Sequence, residues 1–170
     1  MSKIRTVVVD DEPMARERIV GLLQQEQDIE LVGEYADGSQ AVTAIRADQP
    51  DLVFLDVQMP AVDGFGVIQQ VGPDRMPSVV FVTAYDEYAL RAFEVHAIDY
   101  LLKPFGRDRF QQALEHARAH LERRRAGDLG KRLLALVHDI KPEPQKLDRL
   151  VVKSGGRVFF LRTEEIEWIE

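Results

Sequence analysis

Short apolar runs alternate with helical segments five times within residues 4–124, and this alternation constrains the fold more than any other feature of the chain. The expected strands are residues 4–9, 29–35, 52–55, 78–82 and 98–102. The first, third and fourth runs are apolar almost throughout, as expected of strands that helices cover on both faces. The repeated order of strand and helix predicts an α/β fold with a doubly wound, five-stranded parallel sheet.

Helix signals occupy the segments between these strands. Pro13 follows Glu12 where a first helix should begin, because proline is favoured in the first turn. Asp37 is the expected cap of a helix near residues 40–47. Further helices are expected over residues 65–71, from 86 to about 95, and from just after 106 to near 124.

Composition narrows the class of protein. The 170 residues include no cysteine, which excludes a disulfide framework, a thiol nucleophile and a cysteine-ligated metal site. The formal net charge is −7, and residues 1–124 hold 13 basic and 21 acidic side chains, a balance that repels nucleic acid. No apolar stretch approaches the roughly 18 residues of a membrane span or the length of a signal peptide. We therefore expect a cytoplasmic protein without membrane contact.

Polar and charged side chains follow four of the expected strands at their carboxyl ends. They are Asp10 and Asp11 after the first strand, Asp56 after the third, Thr83 after the fourth and Lys103 after the fifth. In a parallel sheet these ends meet at one edge, where ligands bind. Three clustered carboxylates raise one another's pKa unless a cation lies among them. Mg²⁺, which prefers oxygen ligands, suits such a pocket.

The chemistry that fits this set is transfer of a phosphoryl group to a carboxylate. Asp56 is the expected nucleophile, and its product would be an aspartyl phosphate. Mg²⁺ and the Lys103 ammonium would neutralise charge on the phosphoryl oxygens, and the Thr83 hydroxyl would donate a hydrogen bond to them.

The residues at the strand ends, taken together with the loop at residues 56–64, resemble a known family. They are Asp10-Asp11, Asp56, Thr83-Ala84 and Lys103-Pro104-Phe105. In order and placement this set is similar to the receiver domain of bacterial two-component response regulators, over about residues 1–124. The resemblance implies a flavodoxin-like strand order 2-1-3-4-5 and a sensor histidine kinase as phosphodonor. It also implies a phosphoacceptor that assists its own phosphotransfer and dephosphorylation, rather than a classical enzyme.

The same resemblance assigns roles to single residues. It implies Mg²⁺ held by Asp11, Asp56 and the main-chain carbonyl of Gln58, with Asp10 acting through water, and no other cofactor. Gln58 and Tyr85, each two positions beyond a site residue, would influence the rate of dephosphorylation in a direction that the sequence does not give.

Phosphorylation of Asp56 is expected to act as a switch. Thr83 should move toward the phosphoryl group, which vacates space beneath the fourth helix. Tyr100 resembles the family's switch aromatic and could rotate inward to fill that space, although a plain core aromatic is an equal alternative for Tyr100. The altered face would be the fourth helix, fifth strand and fifth helix, through which family members often dimerise. Polar candidates on that face are Arg91, Asp99 and Arg118. By resemblance, the bond between Lys103 and Pro104 is expected to be cis.

The remainder of the chain has a different character. Residues 125–146 mix charge, glycine and proline and are expected to form a linker that in part extends the last helix. Residues 150–153 and 157–161 predict a β-hairpin around a Ser-Gly-Gly turn, and residues 164–169 continue with apolar alternation. A hairpin of this size is unstable alone. We therefore expect the chain to stop inside a second domain that begins near residue 147.

Residues 150–169 resemble the opening strands of the LytTR DNA-binding domain. This resemblance implies a transcription regulator whose full-length C-terminal domain binds DNA, while this chain alone is expected to bind DNA weakly or not at all. Arg157 and Arg162 are as readily solvated strand residues as phosphate contacts.

Three other functions are alternatives to this one. A stand-alone receiver that signals by protein contact, without DNA binding, remains the main alternative. A Mg²⁺-dependent phosphatase would need an acid two residues after the nucleophile, where Gln58 stands. A flavin or dinucleotide binder would need a glycine-rich fingerprint after the first strand, which is missing. His116 and His120 could form a metal pair, but an exposed helix face is favoured.

Overall fold

The computed structural model describes residues 2–136 and the backbone of residues 149–154 and 157–162. The chain divides into two units, Met1–Ala117 and Arg118–Glu170. The first unit holds a parallel sheet with strand order β2-β1-β3-β4-β5, which confirms the predicted doubly wound, flavodoxin-like topology. Its strands are β1 Ile4–Val9, β2 Ile29–Tyr35, β3 Leu52–Leu55, β4 Ser78–Thr83 and β5 Asp99–Leu102.

Helices follow each strand of this sheet. They are α1 Pro13–Leu23, α2 Gly38–Asp48, α3 Gly64–Val71, α4 Ala89–Glu94 after a 3₁₀ turn at Asp86–Tyr88, and α5 Arg107–Ala135. Pro13 stands at the start of α1, as predicted. Asp37 caps α2, because its side chain accepts a hydrogen bond of 2.8 Å from the Gln40 backbone N–H.

The core lies on both faces of the sheet. Every residue of β3 and β4 is buried. The ring of Phe54 on β3 stacks on that of Phe110 on α5, with the centroids 5.4 Å apart. Full burial of a side chain of this size stabilises the fold by roughly 1.5–3 kcal/mol. Such packing fixes the strands against the helices and therefore fixes the loops that leave the strand ends.

The register of the sheet places the carboxyl ends of the central strands side by side. Val9 pairs with Leu55, and Leu55 pairs with Phe81. The residue after β3 continues the ladder, because the Asp56 N–H donates to the Val9 carbonyl at 2.9 Å. Residues that follow these strands therefore lie along one edge of the sheet.

The predicted end of α5 near Arg124 is wrong, since the helix continues to Ala135. Gly127 and Gly130 lie inside it. Each glycine costs about 1 kcal/mol relative to alanine, but the arginine, leucine, lysine and alanine residues around them are strong helix formers.

No helix along the described part of the chain is long and apolar enough to cross a bilayer.

Strands β6 Arg149–Ser154 and β7 Arg157–Arg162 form an antiparallel pair, with Leu150 opposite Leu161. This pair confirms the predicted hairpin. The expected linker beyond residue 136, the Gly-Gly turn and the alternating segment 164–169 lie outside the described residues.

Candidate functional site

Three carboxylates meet at the carboxyl edge of the sheet. Asp10 follows β1 and Asp56 follows β3, and their exposed fractions are only 0% and 4%. Asp11 is more open to solvent. One carboxylate oxygen from each of the three lies within 4.8 Å of the others. The structure thus brings together the acids that the sequence placed at separate strand ends.

The backbone around Asp56 is tightly held. The Gln58 N–H donates to Asp56 Oδ1 at 3.2 Å. Helix α3 begins directly above this turn, and a Cβ at Gly64 would lie 2.5 Å from the Asp56 carbonyl oxygen. Only glycine allows so close an approach, so Gly64 is required for the turn that orients Asp56.

Asp10 is held by its own loop and by Lys103. The Glu12 N–H donates to Asp10 Oδ1 at 2.9 Å, and the Arg16 guanidinium donates to the Asp10 main-chain oxygen at 2.7 Å. Asp10 Oδ2 lies 2.7 Å from Lys103 Nζ, but this ion pair lacks hydrogen-bond alignment, and Oδ2 has no other partner among the described residues. A buried carboxylate oxygen therefore retains capacity for a further cationic partner.

Lys103 follows β5 and reaches across the cluster. Its Nζ lies 3.5 Å from Asp56 Oδ2 and 4.0 Å from Glu12 Oε1. The peptide bond between Lys103 and Pro104 is cis. The Lys103 N–H donates to the Thr83 carbonyl at 2.7 Å, which ties the end of β5 to the end of β4.

Thr83 ends β4 and is completely buried. Its Oγ1 accepts a weak hydrogen bond of 3.4 Å from the Tyr85 N–H. The Thr83 hydroxyl therefore lies at the carboxyl end of β4, the strand next to β3, as the sequence predicted.

The cluster carries more negative than positive charge. Burial, and then the like charge of Asp10, raises the pKa of the Asp56 carboxyl to about 7, although Lys103 and the Gln58 N–H act in the opposite direction. Burial would lower the pKa of the Lys103 ammonium, but Asp10 and Asp56 outweigh burial and raise it. One ammonium among three carboxylates leaves a surplus of negative charge, which a hard divalent cation with oxygen ligands would neutralise.

Comparison with known proteins shows what kind of domain carries this cluster. A family model described as the response regulator receiver domain matches residues 6–115. The chain belongs to this family. A receiver domain is a signalling domain rather than a classical enzyme.

Matches between this chain and individual relatives extend beyond residues 6–115. The chain is 37% identical over 167 residues to the transcriptional regulatory protein BtsR of Salmonella typhi, a match that covers 98% of this chain and 65% of that protein. It is 42% identical over 167 residues, with the same coverage of 98% and 65%, to an uncharacterized response regulatory protein of Yersinia pestis. The chain thus spans 65% of the length of these curated relatives.

Solved structures agree with the receiver fold. The response regulatory domain of mrkE from Klebsiella pneumoniae matches with a TM-score of 0.65 and 30% identity, covering 70% of this chain and 98% of that one. The receiver domain of the putative response regulator NarL from Mycobacterium tuberculosis matches with a TM-score of 0.63 and 34% identity, covering 69% and 98%.

Three tyrosines, Tyr85, Tyr88 and Tyr100, make hydrogen bonds near the loops that follow β3 and β4. Gln58 Nε2 donates to the Tyr88 hydroxyl at 2.8 Å. The Tyr100 hydroxyl donates to the Tyr85 main-chain oxygen. Tyr100 is only 5% exposed, and its burial raises the pKa of its phenol above the ordinary value. The sequence singled out Gln58, Tyr85 and Tyr100 but missed Tyr88, since a tyrosine in a loop carries no signal of its partner.

A second polar cluster lies between β5 and α5. Asp99 is completely buried. Its carboxylate accepts hydrogen bonds of 2.6 and 3.1 Å from the Arg109 guanidinium and 2.7 Å from the Tyr100 N–H, and it lies 2.8 Å from His116 Nδ1. Burial would raise the pKa of Asp99, but His116 and then Arg109 outweigh it and lower the pKa to about 2.

The structure changes the interpretation of several residues that the sequence placed on an outer face or in a metal site. Asp99 was expected as a polar group on an outer face, but the structure buries it and pairs it within the chain. The Arg91 guanidinium lies 4.1 Å from the centroid of the Phe65 ring on α3. His116 is engaged with Asp99 and, among the described residues, the group of side chains suited to a metal is Asp10, Asp11 and Asp56.

Proposed function

We propose that this chain is part of a two-component response regulator that accepts a phosphoryl group on Asp56 from a sensor histidine kinase. One observation carries the proposal above all. A buried carboxylate with a pKa raised to about 7 stands beside a second buried acid and 3.5 Å from the Lys103 ammonium. Strongly perturbed groups at the ligand edge of an α/β sheet are typical of functional sites.

The residues present fit the Mg²⁺ that this chemistry needs. The donors are hard carboxylate oxygens within 4.8 Å of one another, and Asp10 Oδ2 is buried without an aligned hydrogen bond. Asp11, Asp56 and the main-chain carbonyl of Gln58 would hold the ion, and Asp10 would act through water. Bound there, Mg²⁺ supplies positive charge that neutralises phosphoryl oxygens.

The chain's own residues carry out the transfer by position and charge. An Asp56 carboxylate oxygen forms the new bond to phosphorus, while the bond from phosphorus to the donor breaks and the donor keeps its electron pair. Lys103 offers its ammonium to the phosphoryl oxygens, and Thr83 offers its hydroxyl. Because the Gln58 N–H and Gly64 fix the turn at Asp56, the nucleophile needs no reorientation.

The phosphoryl group would then shift the receiver between two states. Thr83 moves toward the new oxygens, and Tyr100, which is buried with its hydroxyl on the Tyr85 carbonyl, fills the space beneath α4 in the switched state. The face formed by α4, β5 and α5 changes as a result, and we propose that the chain forms a homodimer through it on phosphorylation.

We propose three segments: a receiver over residues 1–124, a partly helical linker over 125–146, and the start of a LytTR-like DNA-binding domain over 147–170. The β6–β7 hairpin supports this division, since a stand-alone receiver would not need it. The match to BtsR, named a transcriptional regulatory protein, covers 98% of the chain and therefore includes this hairpin. We infer regulation of transcription by the full-length protein, without DNA binding by this chain alone. The cytoplasmic location stays a prediction.

The phosphoacceptor is tested by incubating the chain with acetyl phosphate or phosphoramidate and Mg²⁺, and following intact mass. We expect one acid-stable, base-labile phosphoryl group, and no labelling when a chelator is present from the start. Asp56→Asn should abolish labelling because it removes the nucleophile, whereas Asp74→Asn, at an exposed aspartate, should be labelled normally. Equal labelling of Asp56→Asn and the wild type would show that another residue is the acceptor.

A further inference from the structure

We propose that Tyr88 is a positioning residue that acts through Gln58 to slow the loss of the phosphoryl group from Asp56. This inference rests on the proposed function, because it concerns the lifetime of the phosphorylated state. Neither residue takes part in bond making.

The hydrogen bond from Gln58 Nε2 to the Tyr88 hydroxyl, 2.8 Å long, joins two loops across the edge of the site. Gln58 lies in the loop between β3 and α3, two residues beyond Asp56, and its N–H is bound to Asp56 Oδ1. Tyr88 ends the 3₁₀ turn between β4 and α4. The bond therefore connects the loop that carries the acceptor with the segment that follows Thr83.

Tyr88 is itself fixed and so can serve as an anchor. Its ring centroid lies 6.2 Å from that of Phe65 and 6.2 Å from that of Tyr85, in an edge-on arrangement with the latter. Phe65 in turn packs on Phe81 of β4, with centroids 5.0 Å apart. An exposed glutamine side chain loses rotamer freedom when it is held in one place. Contact with a rigid partner is therefore needed to keep the Gln58 amide at the edge of the site.

Hydrolysis needs an open path for water to the phosphorus. The oxygen of a water forms a bond to phosphorus, the bond from phosphorus to the Asp56 oxygen breaks, and its electron pair returns to the carboxylate. The protons of the water pass to the released phosphate and to solvent. The water attacks roughly in line with the leaving oxygen, and thus enters from the solvent edge where exposed Gln58 lies. A pinned amide obstructs that entry, and a released amide leaves it open.

The test follows the decay of phosphorylated protein after the small-molecule donor is removed, in the presence of Mg²⁺. Tyr88→Phe keeps the ring contacts and removes only the hydroxyl. We expect its phosphoryl group to decay about three to ten times faster, the factor that one hydrogen bond provides. Gln58→Ala should decay faster as well, and the double variant no faster than Gln58→Ala alone. Tyr35→Phe, which removes a hydroxyl on β2, is the matched control and should decay at the wild-type rate.

The double variant separates positioning from a general structural effect. If Tyr88→Phe multiplies the rate equally in wild-type and Gln58→Ala backgrounds, Tyr88 does not act through Gln58 and the inference is overturned. An unchanged rate in Tyr88→Phe overturns it too, while labelling at Asp56 still supports the proposed function. Failure of the wild type to become labelled contradicts both. Thermal melting should be the same for all single variants.

Discussion

Asp56 and Asp99 are both buried aspartates at the ends of strands in one sheet, and each lies near a cation, yet their pKa values are shifted in opposite directions. The pKa of Asp56 is raised to about 7, whereas that of Asp99 is lowered to about 2. Burial raises the pKa in both cases and is the largest single influence on each. The difference therefore comes from the neighbours that each carboxylate has.

Asp99 has a full set of donors. Arg109 binds both its oxygens, His116 contacts one of them, and the Tyr100 N–H donates to the other. Asp56 has the Gln58 N–H and a more distant ammonium, and a second buried acid lies beside it. A carboxylate with enough donors stabilises a fold, whereas one kept short of them is prepared to bind a cation or to react. The two sites differ in donor supply rather than in depth.

The largest expected effect on stability comes from removing the charge of Asp99, the carboxylate with a full set of hydrogen-bond donors. Asp99→Asn leaves Arg109 and His116 without their anion, so the free energy of unfolding should fall by about 3 kcal/mol. Urea unfolding measures this change, with Asp74→Asn as the exposed control that should unfold like the wild type. If Asp99→Asn is as stable as the wild type, Asp99 contributes no net stabilisation and the contrast with Asp56 has no energetic basis.

Acid should remove a part of the same stabilisation. The folded pKa of Asp99 is about 2, below the ordinary value of 3.8. The native carboxyl therefore binds protons less readily than the unfolded one. Its contribution is complete above about pH 4 and is lost as the pH falls toward 2, by roughly 2 kcal/mol. Unfolding of the wild type and Asp99→Asn between pH 5 and pH 2 should show stability curves that converge in acid; parallel curves would contradict this assignment.

The site at Asp56 was more predictable from the sequence than the cluster at Asp99. Alternating strands and helices imply a parallel sheet, and in such a sheet the residues that follow strands share an edge. Asp10, Asp56, Thr83 and Lys103 could thus be placed together without any knowledge of side-chain packing. Their roles stay predictions, because position alone does not show chemistry.

The contacts of Asp99 depend on how α5 packs against β5. Asp99 and His116 are 17 positions apart, and no spacing rule joins a strand residue to the one helix position that faces it. The interpretation of His116 as part of an exposed helix face therefore missed its partner. The pairing of Gln58 with Tyr88 has the same origin, since the two residues lie 30 positions apart in different loops.

The smallest effect should come from Asp56, the carboxylate with few hydrogen-bond donors. The change in the free energy of unfolding there is opposite in sign to that at Asp99. At pH 8 and without divalent metal, Asp56 is ionised beside Asp10, so Asp56→Asn should raise the free energy of unfolding by about 1 kcal/mol. Mg²⁺ at ten times its dissociation constant should stabilise the wild type by about 1.4 kcal/mol and stabilise Asp56→Asn less. Asp99→Asn should respond to Mg²⁺ like the wild type, because its change lies outside the acidic cluster. If Asp56→Asn is destabilised without metal, the carboxylate of Asp56 is satisfied in the free protein, and donor supply does not distinguish the two aspartates.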